Sequence, residues 1–300
     1  MARFEHVSGH TGCLYLRGNC IPVYRLSESE WILIDSGSRY DREELLHYLE
    51  EHGIRVNAVL TSHAHYDHVG NHRALKIQYG CECIMTAFDG GAVRDTVSLK
   101  ACFYSCTESE IRRGFSDMVC RADRILGGGE EEVVVSGARF KVLDLPGHAA
   151  SQVGFVTPDN VTYLGDCLLG IPEVNREKIV YMLDWIRALD TMKEAEGYDG
   201  TPCILSHYGV YTDIKTVSAA NVRAFEKVLG SMRKILTPEF FLEEMVKRAV
   251  SHFDIPVRSF PKARLMERMV RSLLEYMAEA GELNLDIKDG IIVYTRHEYV

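Results

Sequence analysis

Thr61-Ser62-His63-Ala64-His65-Tyr66-Asp67-His68-Val69-Gly70 packs three histidines and one aspartate into six residues, His63 to His68. Just before it, Val56-Asn57-Ala58-Val59-Leu60 reads as a short buried strand; just after it, residues 69–77 continue as a helix. The histidines therefore sit on a strand-to-helix turn, where side chains converge on one point. Residues i and i+2 of a strand share a face, so His63 and His65 reach one ion together if strand geometry persists that far. Asp67 and His68, on the turn or the first helical residues, reach a second position nearby. Imidazole and carboxylate at this density suit Zn²⁺, ahead of Fe or Mn. A lone H-x-H pair would read as a polar loop; the full H-x-H-x-D-H string reads as metal binding.

Upstream, residues 12–35 read as two strands, Cys20 to Leu26 and Trp31 to Asp35, joined by the polar turn Ser27 to Glu30. Asp41 and Glu44 have capping-box spacing for a helix over 43–51, with Leu45, Leu46 and Leu49 at helical spacing and Gly53 as its stop. Downstream, Ile84-Met85 is a short strand. Residues 89–126 hold two helical stretches, 99–104 and 111–119, and read as an insertion over the mouth of a site. Residues 133–135 and 140–145 form a hairpin, and residues 153–156 and 161–164 form the next. Three more polar residues fall just beyond strands: His148 in Leu145-Pro146-Gly147-His148, Asp166 in Gly165-Asp166-Cys167, and His207 in Ser206-His207-Tyr208-Gly209.

Three hundred residues suffice for one large domain, or a large one with a small one, and 46% hydrophobic residues support a sizeable core. A formal net charge of -9 argues against indiscriminate binding to nucleic acid or anionic membranes. The N-terminus has no apolar run of signal-peptide length, and no stretch approaches the ~20 apolar residues of a membrane span; a soluble cytoplasmic protein is expected. Nine cysteines without a repeating framework point to reduced thiols. Neither Cys81-Glu82-Cys83 nor Cys102-Phe103-Tyr104-Ser105-Cys106 has C-x-x-C spacing, and both pairs read as free thiols.

One His or Asp after a strand is ordinarily a cap or a loop hydrogen-bonder. Seven such residues in the order H-x-H-x-D-H, then H, D, H, resemble the metallo-β-lactamase superfamily. Ile34-Asp35-Ser36-Gly37, Pro146-Gly147-His148 and Tyr163-Leu164-Gly165-Asp166 resemble its supporting motifs, and the resemblance covers about residues 12–210. It implies an α/β fold, an αββα sandwich with a two-metal site on one edge. His63, His65 and His148 would form one metal position, Asp67, His68 and His207 the other, and Asp166 would bridge two Zn²⁺ ions (or Fe or Mn). A hydroxide bridging the two would attack an activated acyl bond, with Asp67 carrying a proton to the leaving group. β-Lactamases of the best-known subclass use cysteine where this chain has Asp166; Cys167 is adjacent but, on a strand, points the other way. Aspartate there resembles the thioesterase, lactonase and nuclease branches instead.

After residue 213 the character changes. Residues 217–236, 238–253 and 263–280 read as helices, the last with Leu265, Met269, Leu273 and Met277 as an apolar stripe. Two strands, 283–287 and 291–294, flank the turn Lys288-Asp289-Gly290. The expected organisation is a catalytic domain over 1–213 and a helical, winged-helix-like C-terminal domain over 214–300. Residues 247–271 are basic, with Lys262, Arg264, Arg268 and Arg271 among them, and read as a solvated face packing on the acidic catalytic domain or on a second subunit. Their functional reading is contact with an anionic substrate. The expected function is hydrolysis of a small-molecule acyl substrate, a thioester, without a membrane partner. Alternatives are an endoribonuclease on single-stranded RNA, a lactonase, or a non-catalytic binding module; a homo-oligomer is compatible with all of them.

Overall fold

The computed structural model describes residues 2–104, 106–207 and 209–297. Ser105 and Tyr208, quoted above within motifs, lie outside the described residues. Seven strands form the first sheet in chain order: β1 (Arg3–Ser8), β2 (Thr11–Tyr15), β3 (Cys20–Arg25), β4 (Glu30–Ile34), β5 (Arg55–Leu60), β6 (Glu82–Thr86) and β7 (Arg124–Leu126). β1 to β4 pair antiparallel, and β4 to β7 parallel. Parallel neighbours need crossovers. These are α1 (Arg42–Glu51), α2 (His72–Tyr79) and a segment holding α3 (Ala87–Ala92), α4 (Thr96–Leu99) and α5 (Glu108–Phe115).

The second sheet contains β8 (Glu132–Val135), β9 (Ala138–Asp144), β10 (Val153–Val156), β11 (Thr162–Tyr163), β12 (Cys203–Leu205) and β13 (Gly209–Tyr211), in the order β13-β12-β11-β10-β9-β8. Its one parallel pair, β11 with β12, is bridged by α6 (Ile171–Arg176) and α7 (Trp185–Ala195). Then follow α8 (Ile214–Ile235), β14 (Glu239–Phe240), α9 (Leu242–His252), α10 (Phe260–Glu279), β15 (Leu283–Lys288) and β16 (Ile291–Arg296), with a small sheet ordered β14-β16-β15.

Strand alternation sorts the side chains into three layers. Ile32, Ile34, Ala58, Leu60 and Ile84 meet Phe140, Phe155, Tyr163 and Ile204 between the two sheets. Leu33, Val59, Cys83 and Met85 point the other way, onto Leu45 and Leu49 of α1 and Leu75 of α2. Leu145, Leu164 and Leu205 face outward from the second sheet onto Trp185, Phe225, Met269 and Leu273. The order is therefore helix, sheet, sheet, helix, as the motif order implied. Truncating a fully buried Phe155 to alanine would cost about 3–5 kcal/mol, a large share of a domain's net stability. The C-terminal elements add Met245, Met266, Leu274 and Tyr294 to the outermost cluster, so they share a core with the second sheet. No helix among the described residues is long and apolar enough to cross a membrane.

Several elements differ from the sequence reading. Residues before 35 form four strands, because β1 and β2, short and partly polar, complete the meander. The capping box at Asp41 does not form: Asp41 sits at φ -98°, ψ 3°, and makes no side-chain cap bond, while Ser38 caps the preceding 3-10 turn. The helix after the histidine string starts at His72, since Val69 to Asn71 are still in the turn. The helix expected over 238–253 starts at Leu242, because Glu239 and Phe240 pair with β16. Over 99–104 the chain is not α-helical: α4 ends at Leu99 and a π-helical turn follows. β7, α3, α6 and β13 carried too few periodic residues to be seen in advance, whereas α7, with Trp185, Ala188, Met192 and Ala195 buried at helical spacing, was overlooked.

Candidate metal centre

The loop between β5 and α2 carries four of the seven sequence-predicted residues. Ladder bonding persists one residue past β5, where Thr61 N donates to Ile84 O at 3.0 Å. The chain then coils on itself: His68 N and Val69 N both donate to His65 O, at 3.0 and 3.1 Å. Gly70 is required here, since a Cβ would stand 2.4 Å from Arg39 N. His148 follows β9, Asp166 follows β11 and His207 follows β12. Gly147 has φ 130°, and its Cβ would lie 2.4 Å from Ala188 Cα, so only glycine lets the chain turn into His148 against α7.

All seven residues meet at one edge of the sandwich. His63 Nε2 is 3.1 Å from His65 Nδ1, which is 2.9 Å from His148 Nε2. Around the second position, Asp67 Oδ1 is 4.0 Å from His68 Nε2 and Asp67 Oδ2 is 3.7 Å from His207 Nε2. Asp166 Oδ2 stands between them, 3.4 Å from His68 Nε2, 3.4 Å from His148 Nε2 and 3.7 Å from His207 Nε2. Donor atoms around a tetrahedral Zn²⁺ with bonds of ~2.0–2.1 Å lie roughly 3.3 Å apart, so these spacings fit. Cys167 joins the outer core with Leu164 and Leu205, on the side away from the site.

The next layer of contacts fixes which nitrogen faces inward. Ser62 Oγ donates to Asp35 Oδ2 at 2.6 Å, so it can only accept from His63 Nδ1, 3.1 Å away. His68 Nδ1 donates to Asp35 Oδ2 at 2.8 Å, His148 Nδ1 to Tyr181 O at 3.2 Å, and His207 Nδ1 to Gly18 O at 2.8 Å. Four imidazoles thus turn Nε2 to the centre. Among the described residues, His68 Nε2 and Asp166 Oδ1 are buried without a hydrogen-bond partner. Lone pairs this close repel one another, and a buried unpaired acceptor is costly; a cation relieves both. The donor set and the orphaned atoms fit a transition metal.

Charge tells the two positions apart. Burial, then the neighbouring histidines, hold His63 and His65 well below the ordinary imidazole pKa, and burial also lowers His148. Burial pulls His68 down too, but the carboxylates of Asp166 and Asp35 outweigh it and hold it well above its ordinary value. His207, likewise desolvated but beside Asp166, is raised to about 9. Asp166 is pushed up by burial, yet His68, His207 and His148 outweigh this and keep it ionised. Without metal, His63, His65 and His148 are held neutral, whereas the neighbouring carboxylates favour the protonated forms of His68 and His207.

Sequence reasoning treated Asp35 only as part of a motif; it is the hub of the site. At the end of β4, with φ 66°, it accepts Ser62 N at 2.7 Å and Tyr163 Oη at 2.7 Å as well as Ser62 Oγ and His68 Nδ1. Asp89, at the start of α3, was missed altogether. Its Oδ1 accepts Ala64 N at 3.1 Å, and its Oδ2 accepts Ser151 Oγ and Thr86 Oγ1, both at 2.7 Å. One buried carboxylate thereby ties the loop of His63 and His65 to the loop of His148; burial raises its own pKa to about 6. A buried acid beside a helix start carries no periodic signal that would have found it.

Two openings reach the centre, and both include Tyr66 and Asp67. One, of about 330 Å³, has apolar walls from Phe103, Phe115, Tyr181 and Leu265, with Lys262, Arg264 and Arg268 of α10 around it. Arg268 donates to Phe103 O and lies over the Tyr181 ring. The segment 89–126 thus supplies wall to the mouth, as expected of it. The other opening, about 570 Å³, is more polar, with Tyr15, Arg17, Asn19 and Tyr40.

A profile of the metallo-beta-lactamase superfamily matches residues 16–207. Hydroxyacylglutathione hydrolase GloC of Haemophilus influenzae is 30% identical over 152 residues, 50% of this chain and 66% of that protein. The chain spans between 42% and 66% of the length of the curated relatives it matches. Among solved structures, a beta-lactamase domain protein from Burkholderia ambifaria superposes with a TM-score of 0.72 at 19% identity, covering 98% of this chain and 94% of the other. A metallo-beta-lactamase family protein from Thermus thermophilus gives 0.70 at 18% identity, covering 93% and 94%. At these identities the likeness is one of fold.

Proposed function

The chain belongs to the metallo-beta-lactamase superfamily, and from that premise we propose that it is a metal-dependent hydrolase of small anionic acyl thioesters. The observation that carries the reading is the convergence of unpaired imidazole and carboxylate donors, His68 Nε2 and Asp166 Oδ1 among them, on a cavity with apolar walls and cationic side chains. His63, His65 and His148 would hold one ion; Asp67, His68 and His207 a second; Asp166 stands between them. Zinc suits the donors best. Ions held there supply Lewis-acid polarisation of a carbonyl and a water of lowered pKa.

The chain's own residues do the rest. Asp35 holds His68 and, through Ser62, His63 in the tautomers that bind metal. Asp67 borders both openings and is the carboxylate placed to hand a proton to the leaving thiolate. Phe103, Phe115, Tyr181 and Leu265 exclude water around the acyl bond. Lys262, Arg264 and Arg268 would attract the anionic end of the substrate. The relatives named hydroxyacylglutathione hydrolase support this class, since an acylglutathione is an anionic thioester. We take residues 214–300 as the unit that adds this cationic wall to a catalytic unit over 1–213.

The test is turnover by metal-loaded protein of S-acyl thioesters, lactones and single-stranded RNA. Thioester hydrolysis abolished by chelation is the expected result. Replacing Lys262 and Arg264 by glutamine should raise KM for an anionic thioester about 3- to 30-fold and leave a short uncharged one unchanged. RNA cleavage without thioesterase activity would overturn the reading. It would have to fall steeply with salt, by ~0.7 in log-log slope per phosphate contact on a single strand.

A further inference from the structure

We propose that the outer edge of β15 is a homodimer interface, in which two copies pair antiparallel about Ile287 and merge their small sheets. β15 is the end strand of the order β14-β16-β15, and from Asn284 to Lys288 every residue is exposed. Directly opposed residues of an antiparallel pair share a face. The register sets Leu285 opposite Tyr294 and Ile287 opposite Ile292. At the base of the hairpin that face is buried, with Leu283 and Tyr294 in the core. Towards the tip it runs off the protein, leaving Leu285 51%, Ile287 73% and Ile292 49% exposed. An apolar stripe on an open edge strand is a surface that ordinary monomers avoid.

The backbone fixes where a second copy would pair. Ile287 N donates to the side chain of its own neighbour, Asp286 Oδ1, at 2.7 Å, so this N–H is turned away from β16. Along an antiparallel strand alternate residues turn their polar groups to the same side. Leu285 and Ile287 therefore point theirs outward, while those of Asp286 and Lys288 face β16. A two-fold axis through an outward-facing residue forms a doubly bonded pair with its mate. Centred on Ile287, the register places Asp286 opposite the partner's Lys288, and Lys288 opposite the partner's Asp286, on one face. On the other face Ile287 meets its mate between the two Ile292 side chains.

The neighbouring registers are worse. A centre at Asp286 opposes two aspartates and uses residues already committed to β16. A centre at Leu285 brings Lys288 to Glu282, whose carboxylate is buried and held by Arg233 at 2.7 and 2.5 Å. Pairing does require Lys288 to leave Glu239, 2.6 Å away, but that ion pair is about half exposed on both sides and is worth little. Asp286 exchanges its bond to Ile287 N for the partner's ammonium group, and the freed N–H goes to the partner's carbonyl.

Sedimentation equilibrium on the full metal-loaded chain tests this. Wild type should show twice the 33.9 kDa chain mass. Asp286→Lys and Lys288→Asp should each weaken the dimer about tenfold or more, because each sets two like-charge pairs face to face. An equimolar mixture of the two variants should restore dimers, as should the double exchange in one chain. Restoration also shows that the single variants are folded. A monomeric wild type, single variants that dimerise as wild type does, or a mixture that stays monomeric would each overturn the proposal.

Discussion

Replacing Asp35 by asparagine is the sharpest probe of how this centre is held. The carboxylate accepts four donors: Ser62 N on Oδ1, and Ser62 Oγ, His68 Nδ1 and Tyr163 Oη on Oδ2. An amide offers one accepting oxygen, and its NH₂ group must meet at least one of those donors in either orientation. Leaving a buried donor unpaired costs about 1–3 kcal/mol. At about 2–4 °C per kcal/mol for a chain of this class, the metal-free protein should melt roughly 2–12 °C lower. The more telling effect is on metal. His68 keeps its inward Nε2 because Nδ1 donates to a charged acceptor, and loss of such outer contacts costs about 10- to 100-fold in affinity. The ion at Asp67, His68 and His207 should weaken by that factor, and the ion at His63, His65 and His148 should weaken less, since Ser62 still separates it from Asp35. Competition with a chelator, read ion by ion, measures both. Tyr163→Phe removes one donor and spares the acceptor, so it should leave both affinities in place. A lowered melting temperature with unchanged affinity for both ions would refute the view that Asp35 orients a metal ligand.

Two further outcomes follow from the same geometry. His207 has a folded-state pKa of about 9, above its ordinary 6.5, so its contribution to the metal-free fold is full below about pH 6.5 and is lost as pH rises to about 9. Binding at the second position must displace the protons of His68 and His207: affinity there should rise with pH through the His207 value of about 9, while the first position, whose histidines are held below the ordinary 6.5, should be nearly flat above it. Calorimetry in buffers of different ionisation enthalpy counts the protons released, and equal release at both positions would contradict the assignment. Separately, Asp166→Ala should lose an ion and activity together, whereas Cys167→Ala, in the outer core, should lower stability by about 1–2 kcal/mol and keep both ions. Metal loss in the cysteine variant would show that Cys167, and not Asp166 alone, reaches the site.

The convergence of the seven candidate residues was legible because each lies where a strand hands over to a turn, and because four of them stand within six residues. Cys167 does face away from the site, but not through strand alternation: β11 ends at Tyr163, and a turn with Gly165 at φ 56° and Cys167 N donating to Leu164 O at 3.4 Å carries its side chain into the outer core. The contacts behind the centre were not legible. Asp89 bonds Ala64 and Ser151, residues far from it in sequence, and nothing in Ala87-Phe88-Asp89-Gly90 announces a long-range clasp. The helix expected over 238–253 was wrong at its start because pairing with β16 overrides local preference at Glu239 and Phe240. The basic stretch divided likewise: Arg264 and Arg271 bond Glu267 on their own helix, as a solvated face would, but Lys262, Arg264 and Arg268 also border the opening.

The first metal position takes His63 and His65 from a loop of one sheet and His148 from a loop of the other. An ion there would act as a rivet between the layers, and its timing is set by synthesis. A chain emerging from the ribosome presents the H-x-H-x-D-H string long before His148 exists, and His207 comes later still. The early fragment has donors but no closed cage, so it can hold metal only loosely and can give it up again. Secure loading would then wait until the second sheet has docked, and metal retention would be a record that the two halves have assembled correctly.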